Sequence, residues 1–500
     1  MAQDPASVLR PGDTCWRAAR ADQLALLVDA EAYFGAAAAA MASAKRSITL
    51  IGWHFDSRTR LRPLELDSAP IGRFLIRLAR ENPDLKVRVL IWNMALVMSA
   101  GFQFFPYRAK GTFAGTPVDY RLDATTWFGA SHHQKILVVD DDLAFCGGGD
   151  FSIDRWDSPR HLDDDPRRLD PDGDLHPARH EVMAMVSGPA ARLLAELANA
   201  RWHQATGEFV ELGPPAEASP WPETLPAAMS NVEVGVARTY AGTHGREPIC
   251  ESEALHLAAI ADARETIYLE NQYFTSRVIG DALAERLREP DGPEVLVVST
   301  QHCPSWFDRG TMDRARDLQI RRLREADLHG RFSIWCPLTQ AGRSVIVHSK
   351  VSIIDDRLMR VGSTNLNNRS LGFDTECDLA ARAETEADRL AVRVLRDRSI
   401  AHFLGVTGAA FSEAVHRTGS LSSAIATLQM ETGRPRLFPI EPNEHGWFGA
   451  IVARWQLGDP LSKGDSFRPW TRRRLSEAAG ARAAEQVRLA AERRPALPAR

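Results

Sequence analysis

Two stretches of this chain repeat one another about 215 residues apart, and a duplication at fixed offset constrains the fold more than any other feature of a sequence. Strand-like ITLIGWHF from Ile48 is answered by IYLENQYF from Ile267, and VRVLIW from Val87 by EVLVVST from Glu294. SHHQKILVVDDDLAFCGGGD (Ser131 to Asp150) is answered by VHSKVSIIDDRLMRVGSTN (Val347 to Asn365), with corresponding residues in the same order. In both, a β-branched run ends in polar turn residues and a second apolar run follows, which predicts a hairpin. Helical patterns rich in Ala, Leu and Arg fill the intervals, including Ala190 to Arg201, Gly280 to Leu287 and Thr385 to Arg398. The expected class is α/β, with two homologous lobes, each a mixed β-sheet flanked by helices.

Five prolines between Gly213 and Met229 resist regular structure and mark the junction. The expected organisation is an N-terminal lobe over 1–212, a Pro-rich linker over 213–245, a C-terminal lobe over 246–410 and a partly helical, basic extension over 411–500. In that extension, Thr471 to Arg500 carries eight arginines and three glutamates on an Ala-rich pattern. It reads as a solvated or frayed helix, with attraction to an anionic membrane surface as the sharper alternative.

The chain has only six lysines against fifty-five arginines, and two of the six follow a histidine by two positions. The full pattern is HxKxxxxD: His133, Lys135 and Asp140, then His348, Lys350 and Asp355. Chance supplies about 0.02 copies of so short a motif in a chain of this composition. On a strand, residues two apart face the same way, so each motif offers an imidazole beside an ammonium. Facing each other across a lobe interface, two motifs would surround one tetrahedral phosphate with two imidazoles and two fixed positive charges. One neutral histidine can then attack phosphorus while the lysines neutralise non-bridging oxygens, and the second histidine protonates the leaving alcohol. Asp140 and Asp355 enter the candidate catalytic set with the motif, although each also ends a strand at a turn, where Asp is favoured for ordinary hairpin reasons. His132 points to the opposite strand face and reads as a packing or surface residue.

These paired HxKxxxxD segments resemble the phospholipase D superfamily, over roughly residues 45 to 400. GSTNLNNRS (Gly362 to Ser370) is similar to the family's GSxN segment, so the resemblance implies that Ser363 and Asn365 line the phosphate site. After the first motif the same positions read Gly147, Gly148 and Asp150, the GGxD form of phospholipases D proper, which Arg155 and Trp156 also fit; Gly148 and Asp150 join the substrate-binding set. A histidine nucleophile needs its other ring nitrogen held by an acceptor. The resemblance implies one such acid per lobe, Glu376 within DTE and Glu181 within RHEV. It also implies His133 as nucleophile and His348 as general acid, while two like motifs by themselves allow the reverse. Glu270, Asn271 and Gln272 resemble a segment that approaches the site, and a plain strand end is the alternative.

The resemblance implies no catalytic metal and no cofactor. The six cysteines show no CxxC pair or zinc spacing and are expected as buried free thiols. Asp163 to Asp174 lacks the ligand ladder of a calcium loop and reads as a solvated loop. Met94 to Tyr107, with several aromatics and methionines, serves either lipid tails at the site mouth or the core. The substrate implied is a glycerophospholipid at a membrane surface, with water or another alcohol as acceptor and a monomer as the active form. A cardiolipin-synthase-like transferase is the rival reading. A nuclease would need a basic groove, which a net charge of -4 does not suggest, and a binding-only relative would have lost a motif residue. Neither a secretory signal nor a spanning segment is visible, so a cytoplasmic, peripherally membrane-associated protein is expected.

Overall fold

The computed structural model describes every residue except 1–6, 64, 66–67, 95–103, 217–220, 243–244, 434–435, 445–450, 453–454 and 493–500. Most of the stretch from Met94 to Tyr107 therefore lies outside the described residues. The first half carries strands β1 (Arg17–Val28), β2 (Ser47–Gly52), β3 (Lys86–Trp92), β4 (Asp119–Asp123), β5 (Ile136–Val139), β6 (Leu143–Gly147), β7 (Arg179–His180) and β8 (Val182–Ser187). The second carries β9 (Met229–Tyr240), β10 (Ile249–Cys250), β11 (Thr266–Glu270), β12 (Glu294–Val298), β13 (Phe332–Pro337), β14 (Ile346–Val347), β15 (Val351–Ile354), β16 (Leu358–Gly362), β17 (Glu376–Arg382) and β18 (Leu437–Pro439).

Antiparallel pairing of β1 with β9 joins the halves into one 16-stranded mixed sheet. Reading outward from that seam, one side runs β8, β6, β5, β2, β3, β4 and the other β17, β16, β15, β11, β12, β13. β2, β3 and β4 on one side and β11, β12 and β13 on the other are parallel and the strands inward of them antiparallel, so both halves repeat one topology, with β18 added antiparallel to β13 at one edge. β5, β6, β15 and β16 are buried at every position, as strands covered on both faces must be. In the first half the helix Pro189–Thr206 covers one face, burying Leu194 and Trp202 with the valines of β8 and β9. The helix Asp29–Ser43 covers the other, with Phe34 and Met41 against Leu50 and Leu137.

Two expectations are corrected. The region 213–245 is not a linker throughout, because β9 lies at the centre of the sheet. Its alternating sequence drives this: Val232, Val234 and Val236 enter one core, and Ala237 the other. The basic C-terminal stretch is also not a frayed helix over its described part. Pro469–Glu492 packs on the helices Arg277–Arg288 and Glu251–Asp262. Small residues permit the approach: Ala483 and Val487 join the core, and a Cβ at Gly480 would lie 2.2 Å from the Asp281 carboxylate.

Candidate active site

The two hairpins expected from the repeat are β5–β6 and β15–β16, and the histidine of each motif stands just before its first strand. What brings the motifs together is pairing between halves. β14 runs parallel to β7, with Val347 beside His180 and the His348 N–H donating to the His180 carbonyl at 2.8 Å. His132 likewise bridges Thr375, and the His133 N–H donates to the Thr375 carbonyl at 2.9 Å. Each histidine-bearing segment therefore lies against the carboxylate-bearing segment of the opposite half.

The acids cross over as a result. Nδ1 of His133 lies 2.9 and 3.0 Å from the two oxygens of Glu376, and Nδ1 of His348 lies 2.6 Å from Glu181. Fixing Nδ1 leaves Nε2 as the reactive nitrogen of both rings. The Ser363 hydroxyl donates to Glu376, and the Cys377 N–H donates to Ser363 at 3.0 Å, so Ser363 sets the acid that sets His133. Gly148 is required by space: a Cβ there would lie 2.3 Å from Glu181 Oε1 and 2.9 Å from the His348 carbonyl.

Both lysines turn back on their own motif, Lys135 Nζ donating to the His133 carbonyl at 3.0 Å and Lys350 Nζ to that of His348. Lys135 also pairs with Asp150 at 3.3 Å, while the second half has Asn365 at the corresponding place. Asp150 is held by the backbone N–H groups of Trp53 and His54. Asn365 Oδ1 is buried and has no hydrogen-bond partner among the described residues. The environment is dry and positive. Burial, then Lys135 and Lys350, hold His133 well below the ordinary histidine range. Burial, then Lys350 and Arg155, do the same to His348. Burial also lowers Lys350 to about 7 and raises Glu181 to about 7. Each histidine feels the charge of the lysine of the other motif, and the pairing of β7 with β14 and of His132 with Thr375 brings the two motifs to one centre.

The structure does not bring Asp140 or Asp355 to that centre. Asp140 has φ of +53° and accepts from the backbone N–H groups of Lys45, Arg46 and Ser47 at 2.7 to 2.9 Å. Asp355, with φ of +51°, takes the N–H groups of Arg264, Glu265 and Thr266 at 2.6 to 2.8 Å. Both pin the start of the neighbouring strand, which corrects their placement in the catalytic set. His132 is no surface residue: it is fully buried, 2.9 Å from Asp123, which also binds Arg201.

Sequence reasoning missed His180, buried between Asp29 and Glu270 at 2.9 Å from each. Its adjacency to Glu181 was the available signal. Glu270 therefore supports the site through His180, and the Asn271 side chain accepts the Leu366 N–H. Arg155 is buried nearby; burial opposes its charge, but Asp154, Asp150 and Glu181 more than restore it. Of groups able to hold a metal, Asp29, His161, His180 and His402 bring ligand atoms within 4.8 Å of one another.

Comparison with known proteins agrees with this geometry. Residues 256–397 match the family described as "Cardiolipin synthase, PLD-like domain". Phospholipase D A of Dictyostelium discoideum is 26% identical over 443 residues, covering 74% of this chain and 33% of that protein. Phospholipase D1 of Schizosaccharomyces pombe is 24% identical over 454 residues, covering 71% and 32%. The chain resembles the phospholipase D superfamily. Cardiolipin synthase A of Pseudomonas entomophila, 26% identical, covers 81% of the chain and 74% of its own length. The chain spans about a third of the length of the first two relatives. The superfamily fold is also that of a solved phosphatidylserine synthase of Haemophilus influenzae, with a TM-score of 0.51 at 14% identity over 77% of this chain and 87% of that one.

Proposed function

We propose that this chain is a phospholipase D, which cleaves the distal phosphodiester of a glycerophospholipid to phosphatidic acid and the head-group alcohol. The observation that carries the reading is the pair of crossed imidazole–carboxylate dyads, each beside a lysine. In the proposed cycle, His133 Nε2 attacks phosphorus and a phosphohistidine forms. The P–O bond to the head group breaks, and His348, in its protonated form, gives its Nε2 proton to the leaving oxygen. His348 then takes a proton from water or an alcohol, whose oxygen attacks phosphorus and expels His133. Lys135, Lys350 and the Asn365 amide bind the non-bridging oxygens, Gly148 and Ser363 shape their cradle, and Asp150 tempers Lys135 alone.

A lipid substrate is supported by the phospholipases D among the relatives and by a patch beside the first motif. Phe128 is 76% exposed and stacks on Phe467, with Lys463 over the ring of Trp127. Aromatic rings with a neighbouring cation suit the interface of an anionic bilayer. Among the described residues no helix is long and apolar enough to cross a membrane, so the proposed contact is peripheral. A cytoplasmic location and action as a monomer belong to the same proposal, as does a first lobe over 1–212.

A second reading, phosphatidyl transfer to another lipid's hydroxyl, is favoured by the length of the match to cardiolipin synthase A. One experiment separates them. Purified protein is given mixed phospholipid vesicles containing phosphatidylglycerol, with ethanol, and with His133→Ala and His348→Ala alongside. Head group and phosphatidylethanol from the native protein alone support the phospholipase; cardiolipin with little free phosphatidic acid supports the transferase. No lipid turnover overturns both.

A further inference from the structure

A second group of titratable side chains lies outside the diester chemistry, at the junction of the two halves. Asp29 opens the first helix, His161 follows the DRWD segment, His180 is on β7, and His402 lies in the last turn of the helix Glu386–Leu404. Nε2 of His161 and Nε2 of His402 stand 3.3 Å apart, and Asp29 Oδ2 is 3.7 Å from His161 Nε2. Two nitrogens bound at about 2.0 to 2.1 Å to a tetrahedral zinc ion stand ~3.3 Å apart.

The remaining atoms of these side chains are already tied down. Nδ1 of His161 meets Asp157 at 2.9 Å, Nδ1 of His402 meets the Ser399 carbonyl at 2.8 Å, and Asp29 Oδ1 meets Nδ1 of His180 at 2.9 Å. Such outer contacts fix the tautomer and direction of metal-binding imidazoles. Asp29 is fully buried, and its Oδ2 has no hydrogen-bond partner among the described residues, an expensive state for a buried carboxylate oxygen. A cavity of about 250 Å³ lined by Leu162, Phe403 and Arg436 reaches His161 and His402, which gives an ion an entry path.

We infer that Asp29, His161 and His402 bind one first-row divalent ion, zinc by their donor set, as a structural clasp between the halves, with His180 positioning Asp29. A water from the cavity completes the tetrahedron. The ion takes no part in catalysis but sits behind it. Asp29 Oδ1 also accepts the Glu181 N–H at 3.1 Å, and the His180 carbonyl holds His348, so the clasp fixes the strand that carries both. The inference does not depend on the substrate proposed above.

The test uses the full chain, stripped of metal and titrated with zinc chloride by calorimetry and thermal melting, with cobalt(II) as an optical probe. One equivalent of zinc should bind, raise the melting temperature by several degrees and be replaced by cobalt with the visible absorption of a tetrahedral site. His402→Ala and His161→Asn should each weaken zinc at least ~100-fold and abolish that absorption, and Asp163→Ala, on the same cavity, should not. The cobalt spectrum of the native protein keeps the test decisive if a variant fails to fold. Absence of stoichiometric zinc, an octahedral cobalt spectrum, or unchanged affinity in both histidine variants overturns the inference and leaves a plain histidine–histidine hydrogen bond.

Discussion

Glu181 in the first half of the chain holds Nδ1 of His348 in the second, at 2.6 Å, and Glu376 returns the arrangement to His133. In the proposed cycle the two dyads have different chemical tasks, so their loss should read out differently. A leaving group that needs no proton, such as p-nitrophenolate, bypasses a general acid but not a nucleophile. Glu181→Gln and His348→Ala should slow head-group release ~100-fold or more while sparing, within about tenfold, the first-turnover burst of p-nitrophenolate from a p-nitrophenyl diester. Glu376→Gln and His133→Ala should lose both. The opposite split would exchange the two roles.

The aspartates of the two motifs should matter to stability and not to turnover. Asp140→Ala removes three N–H···carboxylate bonds at a residue with positive φ, at a cost of about 2 to 4 kcal/mol. Urea unfolding should show the loss. At temperatures where the variant is folded, kcat should stay within about threefold of native, and a fall of ~100-fold would return Asp140 to the chemistry.

Anion binding should weaken as pH rises. Burial lowers Lys350 to about 7, so in the empty site its charge is present below that value and lost above it. Sulfate keeps its charge over this range, and binding it above pH 7 requires the lysine to take up a proton. Affinity by calorimetry should fall by up to ~tenfold per unit above about pH 7. Lys350→Arg, which stays protonated, should flatten the curve. A flat native profile would exclude the lysine as the titrating group.

Gly148→Ala should impair activity out of proportion to stability. Its Cβ would collide with Glu181 and the His348 carbonyl, so the dyad must shift. We expect about 1 to 3 kcal/mol of destabilisation by chemical unfolding and at least ~100-fold lower turnover. Gly35→Ala is the control: it lies in a helix with open space around it and should stabilise by about 0.5 to 1 kcal/mol without affecting turnover.

The Phe128–Phe467 pair should govern access to bilayers and not bond cleavage. Phe128→Ser with Phe467→Ser should reduce binding to anionic vesicles by about tenfold or more in a sedimentation assay, leaving hydrolysis of a soluble short-chain diester unchanged. Equal loss on both substrates would assign the pair to the active site.

The duplicated topology was legible because each copy carries its own strand pattern and its own HxKxxxxD, and local periodicity does not depend on what lies opposite. The crossing of Glu181 and Glu376 was not, since it arises from β7 meeting β14 and His132 meeting Thr375, contacts between segments more than 160 residues apart. Asp140 and Asp355 misled for a related reason. A motif shows which residues travel together, and these two travel with the hairpin geometry, not with the phosphate. Asp29, His161, His180 and His402 share no spacing at all, and only the packing of the helix Glu386–Leu404 collects them.

The exchange of acids also means that neither half is a smaller enzyme. Cut between Thr206 and Met229, each fragment would keep a histidine, a lysine and the wrong carboxylate, an imidazole with nothing to orient it and an acid with nothing to serve. Two identical halves related by a twofold axis would satisfy each other in the way these two do. The single chain joins such a pair in one polypeptide, which lets its two sides differ, as Asp150 on one and Asn365 on the other do.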